Sequence, residues 1–174
     1  AYYRYLTVAA NTQILGDLGA EVIKVERPGV GDDTRKWGPP YLKDKDGRDT
    51  TESAYYLAVN RNKRSITLDI TKPEGQEVAL RLIEHCDVLI ENFKVGDLAR
   101  RGLGYEQLRE RFPRLIYCSI TGFGQTGPYK DRPGYDYLAQ AMGGIMSVTG
   151  EPDGRPMKVG VAIADVMTGM YATT

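Results

Sequence analysis

The chain has 174 residues, of which 41% are hydrophobic and 26% are charged, a composition typical of a folded globular protein and not of a disordered or collagen-like one. Lys and Arg number 23, as do Asp and Glu, so the formal net charge is zero. A chain without excess positive charge is a poor candidate for sequence-independent nucleic-acid binding, and the absence of any apolar run near ~20 residues argues against a membrane span.

Short runs rich in β-branched residues alternate along the chain with segments of helical periodicity. Strands are predicted at 21–26, 65–70, 87–92 and 115–120, and helices at 12–20, 74–86, 105–112, 134–143 and after Asp165. The alternation predicts an α/β fold with a parallel sheet, in which residues 65–92 form the clearest strand–helix–strand unit. The polar segment 27–53 is predicted to be a long surface loop.

Basic residues lie at the boundaries of two predicted strands. Arg27 directly follows strand 21–26, and ligands of open α/β sheets bind at the carboxyl ends of strands. Lys63 and Arg64 precede the next strand. One interpretation is a solvated basic patch, because exposed Lys and Arg are common. The other is a clamp for phosphate groups, which both side chains bind well.

Two polar or glycine-rich segments follow the later strands. Asn92 could form hydrogen bonds to a ligand, and Phe93 could stack on a ring or belong to the core. The glycines at 122, 124 and 127 have the spacing of a dinucleotide-binding loop, but Pro128 follows and no helix begins there. A loop that folds over a ligand fits the segment better than an NAD site.

Asp165 is a lone acid in the otherwise apolar stretch 160–167. It could cap a helix that begins at Val166, and it could also serve as an exposed nucleophile.

A metal site is not predicted, because the chain has one histidine and its two cysteines, Cys86 and Cys118, are not at ligand spacing. The start of the chain lacks the apolar stretch of a signal peptide, so we expect a cytoplasmic protein, or a mitochondrial one in a eukaryote.

Five motifs in register resemble the family III CoA-transferases. They read LGDLGAEVIKVERPGVGD, NRNKRSITLD, VLIENFKVG, SITGFGQTGPYKDRPGYD and GVAIADVMTGMYA. The resemblance implies a Rossmann-like parallel sheet, with residues 1–174 forming the N-terminal, CoA-binding part of the large domain of a two-domain protein. It also implies an interlocked homodimer. The motifs TRKWGPP and YCSITGFGQTGP are most similar to the branch that uses succinyl-CoA and other dicarboxylate thioesters.

The resemblance further implies the reaction and its residues. Asp165 matches the catalytic aspartate, which carries an aspartyl anhydride and then an aspartyl-CoA thioester while CoA passes from an acyl-CoA to a small carboxylic acid. CoA is then a substrate, with no covalently bound cofactor and no metal. Positions that match the CoA groove or the acyl pocket are Arg27, Asn60, Arg61, Asn62, Lys63, Asn92, Phe93, Arg100, Tyr135 and Asp136.

Two other functions remain open at this stage. The related α-methylacyl-CoA racemases carry a histidine base where this chain has Tyr135, and a tyrosine is a poor base at neutral pH. The chain could also be a non-catalytic module that binds CoA or another nucleotide, or that serves only in assembly.

Overall fold

The computed structural model describes residues 5–174, which contain six short strands and six α-helices. The strands are β1 (Val22–Glu26), β2 (Tyr41–Lys43), β3 (Asp49–Ser53), β4 (Lys63–Thr67), β5 (Val88–Glu91) and β6 (Ile116–Ser119). The helices are α1 (Tyr5–Asp17), α2 (Ala54–Ala58), α3 (Pro73–Ile83), α4 (Tyr105–Arg111), α5 (Asp136–Met142) and α6 (Ile163–Thr173). The predicted α/β class is confirmed.

The strands pair in three two-stranded sheets. β1 pairs with β4 and β5 pairs with β6, both in parallel, whereas β2 and β3 are antiparallel. The prediction of parallel strands is therefore confirmed, but the two strands of the predicted unit over 65–92, β4 and β5, lie in different sheets and not in one. Alternation along the sequence indicates crossover connections without specifying which strands become neighbours.

The prediction of a long loop over 27–53 is wrong. This segment contains the 3₁₀ turn Asp33–Lys36 and the β2–β3 hairpin, and it buries Thr34 and Ser53 completely. Asp44 closes the hairpin, because its carboxylate accepts hydrogen bonds from the N–H groups of Asp46 and Arg48 at 2.8 and 2.9 Å. The Asp46-Gly47 pair between two short polar runs was the sequence signal for this hairpin.

The main apolar core lies between α3, α4 and the β5–β6 pair. Its buried members are Ala79, Ile83, Leu98, Leu103 and Leu108, and partly buried side chains of β5, β6 and the adjoining loops surround them. Farther along the chain, α6 packs against α1 and α5. The core therefore supports the β5–β6 pair, and α6 is held between α1 and α5.

A buried charge network joins the hairpin segment to β1 and β4. The Arg35 guanidinium donates to both carboxylate oxygens of Glu26, at 3.1 and 3.0 Å, and to the Tyr56 hydroxyl at 2.6 Å. The Ser65 hydroxyl on β4 donates to Glu26 at 2.6 Å. Burial alone would raise the pKa of Glu26, but these hydrogen bonds and the charge of Lys24 together lower it to about 2.

Acid should remove the stability that this network supplies. Because the pKa of Glu26 falls from 4.5 to about 2 on folding, its contribution is complete above pH 4.5 and is lost as the pH falls towards 2. The shift corresponds to roughly 3 kcal/mol at neutral pH. We expect Glu26→Gln to make the free energy of unfolding, measured by urea denaturation, depend less on pH over this range. Glu106→Gln, which changes an exposed carboxylate, is the control, and parallel pH curves for the two variants would refute the assignment.

Candidate active site

A pocket of about 100 Å³ lies at the carboxyl ends of β5 and β6. Asn92 directly follows β5, and Ile120 to Phe123 follow β6. The remaining wall comes from the start of α5 and the first turns of α6. The pocket is lined by Asn92, Ile120, Thr121, Gly122, Phe123, Gly134, Tyr135, Ala139, Ala164, Asp165 and Thr168. Three residues predicted from the sequence, namely Asn92, Tyr135 and Asp165, thus meet in one cavity.

Asp165 is the third residue of α6, half-buried and on the pocket wall. The prediction that Asp165 caps the helix is wrong, because the helix begins at Ile163 with Ala162 at the cap position. The cap comes instead from Asp136 on α5, whose Oδ1 accepts hydrogen bonds from the N–H groups of Ala164 at 2.7 Å and Asp165 at 3.3 Å. A carboxylate in the first turn of a helix is favoured by the helix dipole.

The glycine-rich loop contacts the start of α5 through backbone atoms. A Cβ atom added to Gly122 would lie 2.2 Å from the Gly134 Cα atom, and one added to Gly134 would lie 2.1 Å from the Gly122 Cα atom. Only glycine at both positions allows the two segments to approach this closely. The next helix after the loop is α5, which begins at Asp136, so the loop does not have the geometry of a dinucleotide site.

Hydrogen bonds fasten the two loops that follow β5 and β6. The Ser119 hydroxyl donates to Glu91 and accepts from the Gln125 amide at 2.6 Å. The other oxygen of Glu91 accepts from the N–H group of Phe93 at 2.6 Å. One carboxylate therefore holds the backbone beside Asn92 and, through Ser119, the glycine-rich loop.

Tyr55 lies in the electrostatic field of Asp165, although it is not among the residues that line the pocket. Burial, and then the negative charges of Asp165 and Asp136, raise the pKa of Tyr55 to about 12. Trp37 packs edge-on against it, with ring centroids 5.0 Å apart. The adjacent Tyr56 hydrogen-bonds with Arg35 instead. No pattern in the sequence separates these two tyrosines.

The basic run 60–63 is engaged with other parts of the protein. Asn60 accepts from Lys24 at 2.6 Å and donates to the Tyr56 carbonyl at 2.8 Å. Arg61 and Asn62 both bind Asp17 at the end of α1. The Lys63 ammonium donates to two backbone carbonyls, at 2.8 and 2.7 Å, and burial lowers its pKa to about 7. Lys63 also begins β4, two residues earlier than predicted.

The other predicted CoA contacts lie at the surface. Arg27 follows β1 as predicted and is 3.7 Å from Asp33, with 43% of its side chain exposed. Arg100 is exposed and pairs with Asp97. Phe93 is 40% exposed, so its interpretation as a core residue is wrong. None of these three side chains lines the pocket described above, and their contacts with CoA stay a prediction.

Residues 5–174 contain neither a metal-binding cluster nor a membrane-spanning helix. No group of His, Cys, Asp and Glu in this part of the chain is arranged to hold a metal ion. Within the same range, every helix is too short or too polar to cross a lipid bilayer.

Comparison with known proteins gives consistent matches. The family model for CoA-transferase family III matches residues 3–174. The chain is 59% identical to a succinate–glutarate CoA-transferase of Agrobacterium fabrum over 162 residues, which is 93% of this chain and 40% of the relative. It is 55% identical to the human succinyl-CoA:glutarate CoA-transferase over 161 residues, covering 92% of this chain and 35% of the relative. The chain therefore spans less than half the length of these curated relatives.

One solved structure has a closely similar backbone. The crystal structure of a CAIB/BAIF family protein from Brucella suis superposes with a TM-score of 0.90 at 55% sequence identity. The match covers 99% of this chain and 44% of that protein.

Proposed function

Because the chain belongs to CoA-transferase family III, we propose that its protein transfers CoA from an acyl-CoA thioester to an acceptor carboxylate, with Asp165 as the nucleophile. The observation that carries this proposal is the position of Asp165 in the first turn of α6, on a pocket shared with Asn92 and Tyr135. Relatives named for succinyl-CoA and glutarate point to a dicarboxylate donor and acceptor.

The proposed reaction proceeds by four acyl exchanges at one carboxylate. An oxygen of Asp165 attacks the thioester carbonyl, and the carbon–sulfur bond breaks. CoA thiolate is released, and the acyl group remains on Asp165 as a mixed anhydride. The thiolate attacks the aspartyl carbonyl, which releases the donor acid and leaves an aspartyl-CoA thioester. The acceptor carboxylate displaces the thiolate again, and the thiolate then attacks the acceptor's carbonyl. The new acyl-CoA leaves, and Asp165 is regenerated as a carboxylate.

The pocket supplies what these steps require. Thioester and anhydride exchange needs no external base, so the protein has to position the groups, stabilise the oxyanion and exclude water. The backbone N–H groups of the glycine-rich loop and the Asn92 amide are the candidate oxyanion donors, because both lie on the pocket wall.

Arg27 is proposed to bind the nucleotide end of CoA. It stands at the carboxyl end of β1, its side chain is 43% exposed, and the Asp33 carboxylate lies 3.7 Å from its guanidinium. We expect Arg27→Ala to weaken CoA binding by about 10- to 100-fold, the effect of losing one charge-assisted hydrogen bond. Calorimetric titration of CoA measures this, with the exposed Arg155→Ala as the matched control. Equal affinity in the two variants would remove Arg27 from the site.

An assay of product formation separates the proposed function from its alternatives. The protein, expressed from its complete reading frame, is incubated with succinyl-CoA and isotope-labelled glutarate, and glutaryl-CoA is followed by mass spectrometry. We expect labelled glutaryl-CoA to form. Solvent deuterium entering the α-carbon of a 2-methylacyl-CoA would instead identify a racemase. Binding of CoA with neither product would identify a non-catalytic module.

The two-domain architecture and interlocked homodimer belong to the same proposal and stay predictions.

A further inference from the structure

Two side chains of α5 hold the start of α6 from outside that helix. We infer that Asp136 and Gln140 are positioning residues that fix the backbone of Asp165 for acyl transfer, an inference that rests on the proposed function. Asp136 was predicted to contact the ligand, but it is not among the residues that line the pocket. Its influence on the reaction therefore passes through Asp165.

Both carboxylate oxygens of Asp136 are occupied by protein groups. Oδ1 accepts from the N–H groups of Ala164 and Asp165, at 2.7 and 3.3 Å. Oδ2 accepts from the Gln140 amide at 2.6 Å. The first turn of a helix has N–H groups without partners in the helix itself, and a carboxylate there satisfies them and offsets the positive end of the helix dipole. Asp136 thus acts as a cap that is supplied by another helix.

Gln140 fixes the orientation of that carboxylate. It is 1% exposed and uses both ends of its amide. The carbonyl oxygen accepts from the N–H group of Val159 at 2.8 Å, and the NH₂ group donates to Asp136 and, at 3.3 Å, to the Val161 carbonyl. The same amide therefore holds the chain that enters α6 and the carboxylate that caps it.

The clamp formed by Asp136 and Gln140 also connects Asp165 to the rest of the pocket. Asp136 begins α5 directly after Tyr135, which lines the pocket, and Gly134, which contacts the glycine-rich loop. Movement of the carboxylate would displace Asp165 relative to these walls. A displacement of about 1 Å at a reacting group lowers catalysis by as much as ~10²-fold, although substrate binding need not change.

A pair of isosteric exchanges tests the clamp. Asp136→Asn keeps an oxygen that accepts from the α6 N–H groups. Its new NH₂ group faces the NH₂ group of Gln140, so the hydrogen bond between the two side chains is lost. Gln140→Glu sets two carboxylates against each other. In the double variant the new amide at position 136 can donate to the new carboxylate at position 140. That carboxylate can still accept from the N–H group of Val159. Only the longer hydrogen bond to the Val161 carbonyl is lost.

We expect each single variant to lower kcat by about 10- to 100-fold, with KM for succinyl-CoA changed by less than about threefold. The double variant should recover most of the lost kcat. Asp153→Asn, in an exposed loop, is the matched control, and circular dichroism verifies that each variant is folded. Single variants with normal kcat, or a double variant as slow as the poorer single variant, would overturn the inference.

Amide hydrogen exchange tests the clamp independently of the proposed function. The amide protons of Ala164 and Asp165 should exchange faster in each single variant and be protected again in the double variant. This readout needs no turnover, so it tests the clamp even if the wild-type protein transfers no CoA, a result that would defeat the proposed function instead. Unchanged protection in the single variants would overturn the clamp whatever the activity.

Discussion

Replacement of Asp165 by asparagine is expected to lower the rate of CoA transfer by about 10⁴-fold or more, the effect of removing the group that carries a covalent intermediate. Asparagine has nearly the same shape, so the first turn of α6 and the cap from Asp136 should persist. Its amide cannot accept and release an acyl group as a carboxylate does. The turnover rate is measured from glutaryl-CoA formation.

Binding of CoA should survive the same substitution. The residue proposed to bind the nucleotide, Arg27, directly follows β1, whereas Asp165 lies on α6 in the pocket at the carboxyl ends of β5 and β6. Calorimetry should therefore give a CoA affinity within about threefold of the wild-type value. Asp165→Ala serves as a second variant because it cannot revert by deamidation, and Asp153→Asn is the control. Substantial turnover in Asp165→Ala would remove this residue from the nucleophile's role.

Substitution of Gly122 by alanine should separate the glycine-rich loop from α5. The added Cβ atom would lie 2.2 Å from the Gly134 Cα atom, and a backbone atom cannot move aside as a flexible side chain can. The loop that forms one wall of the pocket must therefore shift. We expect a loss of stability of about 1–3 kcal/mol from the added atom and a fall in kcat/KM of up to ~10²-fold from the displaced wall.

Gly160→Ala is the matched control for this experiment. A Cβ atom at Gly160 would meet no atom within 4 Å, so the same chemical change should leave both the melting temperature and the turnover nearly unaltered. Gly134→Ala should reproduce the effect of Gly122→Ala, because the contact between the two backbones is mutual. Equal behaviour of the variants at 122 and 160 would contradict the proposed role of the contact.

Local pattern was sufficient to predict most of the regular structure. The strand predicted at 87–92 is β5, at Val88–Glu91, and the helix predicted at 74–86 is α3, at Pro73–Ile83. Which strands become neighbours was not predicted, because this depends on contacts between distant segments. The helix containing Asp165 also began earlier than expected, since its cap comes from Asp136, 29 residues away.

The site could be predicted only in part for the same reason. Asn92, Tyr135 and Asp165 were found from motifs, and the parallel β5–β6 pair explains why the chain brings two of the pocket's loops together. Tyr55 and Gln140 were missed because nothing in their local sequence distinguishes them. The role of Gln140 depends on the packing of α5 against α6.

The most direct test of the central claim is a mass measurement on Asp165 itself. The protein from the complete reading frame is mixed with succinyl-CoA, treated with hydroxylamine, digested and analysed by tandem mass spectrometry. An activated aspartyl carbonyl, whether anhydride or thioester, should be converted to a hydroxamate on Asp165, and the conversion should require succinyl-CoA. Turnover without a hydroxamate at Asp165, or with the adduct on a different residue, would contradict the account.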